Sequence, residues 1–278
     1  MDNTSSTTGS FRDRSLEAAL DALGEAGFPQ AEILALDPHV GPPGEQELGR
    51  LRGILEAHSV RGRTMHATGA RNTLAALDAS WRKQSVEALT GYVRLAGALG
   101  MTELVIHPIS DRDLAPYADD PELPQKMREA VKRSLDDLMP AIEASGVRIT
   151  LENLPYLGLP LNTMRELRTV IDPYPCEAVG LVIDLGHVAR LDLDPVDEIR
   201  AAGERLYGTH IHDINVNAGG ADHHSPTLGY HDWDAIRQAF AGIGYTGPWT
   251  SEAMQLSHGE SPEELAREVK DWMTFWLR

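Results

Sequence analysis

The chain has 278 residues, 42% of them hydrophobic, and a formal net charge of −17 at pH 7. Its length exceeds the usual mode for one domain but is common for a (β/α) barrel folding as a single unit. The acidic balance argues against avid DNA or RNA binding, which normally needs a basic face, and suits metal cations and neutral polar substrates.

In chain order, the opening "MDNTSSTTGSF" has neither a basic segment nor an apolar one, so no secretory signal is expected. Residues 2–10 are Ser/Thr-rich and read as a weak first strand or a disordered arm. Leu16, Leu20 and Leu23 mark the first helix, closed by "EAGF" at 25–28. There a glycine accepts the left-handed conformation that ends a helix, and an apolar residue opens the next buried element. "ALGM" (98–101), Ser-Gly-Val-Arg (145–148) and "GIGY" (242–245) repeat that punctuation. Long apolar stripes at helical spacing run through Leu74, Leu77, Trp81, Leu89, Val93, Ala96 and Leu99, and through Met127, Val131, Leu135, Leu138 and Ile142. A last stripe, after Pro262, carries Leu265, Val269, Trp272 and Trp276. Between the helices lie "AEILAL" (31–36), "RTMHAT" (63–68), "ELVIHP" (103–108), "RITLEN" (148–153), "GLVIDLGH" (180–187), "YGTHIHD" (207–213) and "PWTSEA" (248–253). Several are apolar almost throughout, as strands covered on both faces should be. With residues 2–10 as the eighth strand, this alternation predicts an α/β fold, a single-domain (β/α)8 TIM barrel over 1–278. No apolar run approaches the roughly 18 residues that span a bilayer, and a cytoplasmic protein is expected. The one cysteine, Cys176, cannot form an intrachain disulfide or a thiolate-rich zinc site, and a small buried apolar role is expected for it.

The strand runs end in chemistry: His66, His107, Glu152, Asp184 with His187, His210 with His212 and Asp213, and Glu252. In a (β/α) barrel all strand C-termini open on one face, where active sites are built. Carboxylates and imidazoles buried together are costly without partners, and a divalent cation partners several at once. This oxygen/nitrogen donor set suits Mn, Zn, Co, Fe or Ni. Five of the eleven histidines fall within 209–233. For His212 a structural role on the face opposite His210 is expected. His231 is expected to face water, and Gly219 and Gly220 to let the loop close over the mouth. Tyr156, Trp249 and Tyr230 are candidate pocket walls.

"LEN" (151–153), "IDLGH" (183–187), "HIHD" (210–213), "DHHSPTLGYHDW" (222–233) and "SE" (251–252) resemble the xylose-isomerase-like TIM-barrel superfamily. That group includes sugar-phosphate isomerases/epimerases, ketose 3-epimerases, inosose dehydratases and apurinic endonucleases. The resemblance covers roughly residues 11–278. It implies that Glu152, Asp184, His210 and Glu252 hold one divalent ion, that Glu152 and Glu252 also move the proton, and that His187 helps bind substrate. His66, His107, His187, Asp222 and His224 match positions that complete a three-zinc cluster in the apurinic endonucleases. An apparent extra residue near 230 leaves the choice between His223 and His224 open.

The implied activity is isomerisation or epimerisation of a sugar, sugar phosphate or cyclitol through an enediolate. Elimination from the same intermediate, a multi-zinc phosphoester hydrolase, and a non-catalytic barrel keeping the motifs as relics are the competing readings. The expected partner is a small carbohydrate-like molecule, with a homodimer consistent with barrels of this kind.

Overall fold

The computed structural model describes residues 2–69, 72–110, 117, 119–256 and 260–278. Eight parallel strands close a barrel: β1 (Thr4–Thr7), β2 (Gln30–Leu34), β3 (Arg61–Ala67), β4 (Glu103–Ile106), β5 (Arg148–Glu152), β6 (Val179–Asp184), β7 (Leu206–Ile211) and β10 (Trp249–Ser251). Two short strands, β8 (Asp213–Asn215) and β9 (Ala221–His224), form an antiparallel hairpin after β7, pairing Asp213 with His224. The apolar core fills the barrel and the layer between it and the surrounding helices.

The Ser/Thr-rich start is the first strand. β1 closes the barrel, with Ser5 opposite both Thr250 of β10 and Gln30 of β2. All four of its residues are buried. Small and β-branched side chains fit this crowded position, and the two threonine hydroxyls find partners: Thr7 caps Gly9 N–H, while Thr4 accepts from Lys270 Nζ at 2.6 Å. Propensity for apolar residues is overridden because the barrel closes around the strand.

The helices begin where side chains can satisfy their free N–H groups. Ser15, Asp78, Thr163, Asp194, Asp232 and Ser261 each accept from the first turn of the following helix. At the other ends, Gly27, Gly100, Gly146 and Gly244 have φ between 69° and 91°, the left-handed conformation expected of them. The stripe beginning at Leu74 is broken. Leu74 and Leu77 precede the helix Ala79–Ala98, which Asp78 starts, although Leu74 is still fully buried in the connecting loop. Cys176 is exposed rather than buried, because it lies in the turn between helix Met164–Ile171 and β6. Among the described residues no helix is long and apolar enough to cross a membrane.

Candidate metal centre

Strand register brings the strand-end groups together. Asp184 of β6 lies directly opposite His210 of β7, and His210 lies opposite Thr250 of β10, two residues before Glu252. Glu152 ends β5 beside β6. Glu152, Asp184, His210 and Glu252 are all buried, and one potential ligand atom from each lies within 4.8 Å of the other three. His210 Nδ1 is 3.0 Å from Glu252 Oε2, 3.3 Å from Glu152 Oε1 and 3.8 Å from Asp184 Oδ2.

Local chemistry fixes how these groups point. His210 Nε2 lies 3.0 Å from Glu32 Oε1, and a carboxylate only accepts, so Nε2 carries the proton. Glu32 is itself held by Thr64 Oγ1–H at 2.9 Å. The Nδ1 lone pair of His210 therefore faces three carboxylates. Despite their proximity, His210 Nδ1, both oxygens of Glu152 and Glu252 Oε2 have no hydrogen-bond partner. Such groups stay buried at high cost unless a cation satisfies them. Ligand atoms about 2.1 Å from one ion lie about 3.0–4.2 Å from each other, which matches the measured spacings. The residues thus fit a divalent ion, and the carboxylate–histidine pairing of Glu32 with His210 is the support such a ligand normally has.

Asp184 is held from two sides. Its Oδ1 accepts the His187 N–H at 2.7 Å, capping the helix Leu185–Arg190. Its Oδ2 lies 2.9 Å from His212 Nε2. His212 Nδ1 accepts the His223 backbone N–H at 2.9 Å, so Nε2 carries the ring proton and donates to Asp184. His212 therefore serves the centre. It does not face away from His210 as expected: side chains two apart on a strand share a face, and the expectation miscounted the alternation. The neighbouring glycine makes room: a Cβ on Gly186 would sit 2.0 Å from His212 Cε1. The motifs around 184–187 and 210–213 interlock through that contact. Asn153 locks the strand ends by a reciprocal pair, donating to Asp184 O at 3.0 Å and accepting from Asp184 N at 2.8 Å.

Two further groups flank the centre. His66, His107 and Glu152 form one, with His66 Nε2 3.2 Å and His107 Nε2 3.4 Å from Glu152 Oε2. His187, Asp222 and His223 form the other. His187 Nδ1–H donates to Asn153 O at 2.9 Å, leaving Nε2 3.8 Å from Asp222 Oδ2. Asp222 binds His223 Nδ1 at 2.9 Å and the Arg190 guanidinium at 2.9 Å. His223, not His224, is the member of the "DHH" run that joins these groups. Its Nε2 is 3.6 Å from Glu252 and its ring stacks on His212 at 4.4 Å.

Electrostatics couple the cluster. Burial works to lower the pKa of His210, but Glu252, Glu152 and Glu32 outweigh it and hold the value well above the ordinary one. Burial likewise favours neutral Glu152, yet His210 and His107 hold its carboxyl well below the usual range. In the ion-free protein the surrounding carboxylates thus favour protonation of His210 and His66. Binding an ion displaces such protons.

Above the centre, Glu152, Glu252, His66, His107, His187 and His223 border a cavity of about 270 Å³ whose other walls include Leu34, Leu36, Leu154, Pro155, Tyr156 and Met254. Tyr156 is a wall, as expected. Trp249 is not: it packs edge-on against Phe240, Tyr245 and Trp276. Tyr230 is 45% exposed. His231 does not face water. It is buried, 5.0 Å from the Trp233 ring, and burial lowers its pKa to about 4. Glu32 had no place among the sequence candidates, because it sits inside β2 and not at its end. A carboxylate within "AEILAL", an otherwise apolar strand, is the signal that points to it.

A family model for xylose isomerase-like TIM barrels matches residues 20–276. The uncharacterized protein y4fM of Sinorhizobium fredii is 27% identical over 263 residues, covering 86% of this chain and 81% of that one. A D-psicose 3-epimerase of Enterocloster bolteae is 28% identical over 146 residues, 52% of this chain and 45% of that one. Among solved structures, a D-tagatose 3-epimerase-like protein superposes with a TM-score of 0.79 at 20% identity, over 99% of this chain and 97% of that chain. The chain belongs to the xylose isomerase-like TIM-barrel family.

Proposed function

We propose that this protein is a divalent-metal-dependent isomerase or epimerase of a small sugar, sugar phosphate or cyclitol. The observation that carries the reading is the buried set formed by Glu152, Asp184, His210 and Glu252, in which His210 Nδ1, both Glu152 oxygens and Glu252 Oε2 lack hydrogen-bond partners, at the floor of a cavity of monosaccharide scale. Those four residues would hold the ion. When bound, a divalent ion supplies Lewis acidity toward a carbonyl and an adjacent hydroxyl, acidifying the neighbouring C–H. Glu152 and Glu252 both border the cavity, and each has at least one oxygen without a hydrogen-bond partner. One takes the proton from the carbon next to the carbonyl and the other returns a proton. His187, its Nδ1 committed to Asn153, presents Nε2 for a substrate hydroxyl. Leu34, Leu36, Leu154 and Met254 keep the reacting carbon away from bulk water. The likeness to a D-psicose 3-epimerase and a D-tagatose 3-epimerase-like protein supports this class of substrate.

The test is proton exchange. Manganese-loaded protein incubated in D₂O with a panel of ketoses and inososes is expected to place deuterium on a carbon adjacent to the carbonyl. Glu152→Gln and Glu252→Gln are expected to slow this by about 10²–10⁴-fold. A panel with no deuterium uptake contradicts the reading. Growth of enone absorption in the ultraviolet would instead identify elimination from the same carbanion.

A second reading, a multi-zinc phosphoester hydrolase, is favoured by the two flanking groups around His66 with His107 and around His187 with Asp222. Against it stand the net charge of −17, which disfavours a polyanionic nucleic-acid substrate, and the Arg190 guanidinium already on Asp222. Metal content separates the two: about one ion per chain supports the isomerase, near three zinc ions the hydrolase.

A further inference from the structure

The turn after β1 carries two arginines with different fates. Arg14 is paired with Glu263 and lies over the Phe11 ring. Arg12, two residues earlier, lines the cavity above the metal centre, is exposed, and its guanidinium has no partner among the described residues. It is also the one Lys or Arg among the described residues that line this cavity, whose floor carries Glu152 and Glu252.

The mount of Arg12 is rigid. Residues Thr8–Phe11 form a single turn, with Thr7 Oγ1 accepting from Gly9 N–H and Arg12 N–H closing onto Gly9 O. Thr8 Oγ1 accepts the Leu34 N–H at 2.9 Å and lies 3.0 Å from Nδ1 of the buried His39. His39 Nε2 reaches Phe11 O at 3.2 Å; a carbonyl only accepts, so Nε2 carries the proton and Nδ1 accepts from Thr8. Ser10 Oγ donates to Ala253 O at 2.8 Å, tying the turn to the residue that follows Glu252. The segment is therefore anchored to both neighbouring strand ends, and the Arg12 side chain projects from it with its charge unspent. Its rigid mount places this guanidinium at the wall of a cavity lined mainly by apolar side chains, two carboxylates and four histidines, so only the side chain has to order when an anion arrives. The guanidinium fork matches the oxygens of a phosphate ester or a carboxylate. In a protein of net charge −17, an anionic substrate needs such a local counter-charge to enter.

Building on the isomerase reading, we infer that the substrate carries a terminal anionic group, a phosphate ester or a carboxylate, and that Arg12 receives it at the cavity wall. The ion-binding floor takes the carbonyl end and Arg12 takes the opposite end, so Arg12 sets which sugars bind and not how fast the proton moves.

Calorimetric titration of manganese-loaded protein with D-fructose, D-fructose 6-phosphate and D-fructuronate tests this, with D-ribulose and D-ribulose 5-phosphate alongside. At least one anionic sugar is expected to bind tenfold or more tightly than its neutral counterpart, and the arm that shows it identifies phosphate or carboxylate. Arg12→Met is expected to abolish the difference between anionic and neutral sugars, and Arg12→Lys to retain part of it. Equal affinities in the native protein, a preference that survives in Arg12→Met, or failure of every anionic sugar to bind overturns the assignment. Deuterium uptake measured in the same samples keeps the two readings apart. Exchange with neutral ketoses and no anion preference removes the role of Arg12 alone. Anion preference lost in Arg12→Met, with no exchange for any sugar, removes the isomerase reading alone.

Discussion

Replacing Gly186 by alanine tests whether His212 positions the metal centre. An added Cβ would lie 2.0 Å from His212 Cε1 and 2.3 Å from Nδ1, so the ring has to leave its place. It then gives up two contacts of 2.9 Å, the donation to Asp184 and the acceptance from His223 N–H. The charge-assisted bond to Asp184 is worth about 1.5–3 kcal/mol and the neutral one about 1 kcal/mol. Alanine in the helix Leu185–Arg190 offsets about 1 kcal/mol of that loss. The net expectation for Gly186→Ala is a loss of about 1.5–3 kcal/mol in stability of the metal-free protein. Metal uptake is expected to weaken about 10–100-fold, the usual effect of removing a ligand's supporting partner. In a His212→Ala background the clash is gone, and the same change is expected to be neutral or stabilising by up to about 1 kcal/mol. The four proteins of this double-mutant cycle are compared by urea unfolding and by competition with a chelating dye. Equal cost of Gly186→Ala with and without His212 would refute the reasoning, because the glycine would then serve some other neighbour.

Glu32→Gln removes the carboxylate that fixes the His210 tautomer and is expected to weaken metal affinity about 10–100-fold without changing the number of ions bound; atomic absorption after dialysis reads both, and a lost ion would make Glu32 a ligand in its own right. His231 supplies a pH test. Its pKa falls from 6.5 to about 4 on folding, so between those values the unfolded chain binds a proton that the folded protein does not. The stability contributed by the neutral ring is complete above pH 6.5 and is lost as pH falls toward 4. Relative to a His231→Phe variant, the native protein is expected to lose about 2 kcal/mol more stability between pH 7.5 and pH 5. Parallel curves for the two proteins would contradict it. Arg190→Ala frees Asp222 from its guanidinium. If that pair is what keeps a second ion out, zinc content is expected to rise above one per chain in the variant, and an unchanged count contradicts it.

The barrel was legible because its signals are local: apolar runs, capping side chains and glycines that end helices. That Glu152, Asp184, His210 and Glu252 converge was legible too, since each stands at or next to the end of an apolar strand, where a polar group is conspicuous. What escaped depends on register and loop path. β1 is polar throughout, and only closure of the barrel shows that hydroxyl-bearing residues fill it. Glu32 is hidden inside a strand, and its partner His210 lies 178 residues away. His212 was misplaced by a miscount of the alternation, since it stands two residues after His210 and shares its face. The choice of His223 over His224 follows from the hairpin β8–β9, where His223 has a φ of 61°, a conformation that no spacing rule foretells.

The most direct measurement is an anomalous-difference map from crystals grown with Mn²⁺. The account predicts a strong peak about 2.0–2.3 Å from one atom each of Glu152, Asp184, His210 and Glu252. A map with no ion among those four side chains, or with manganese held only by His187, Asp222 and His223, would contradict it.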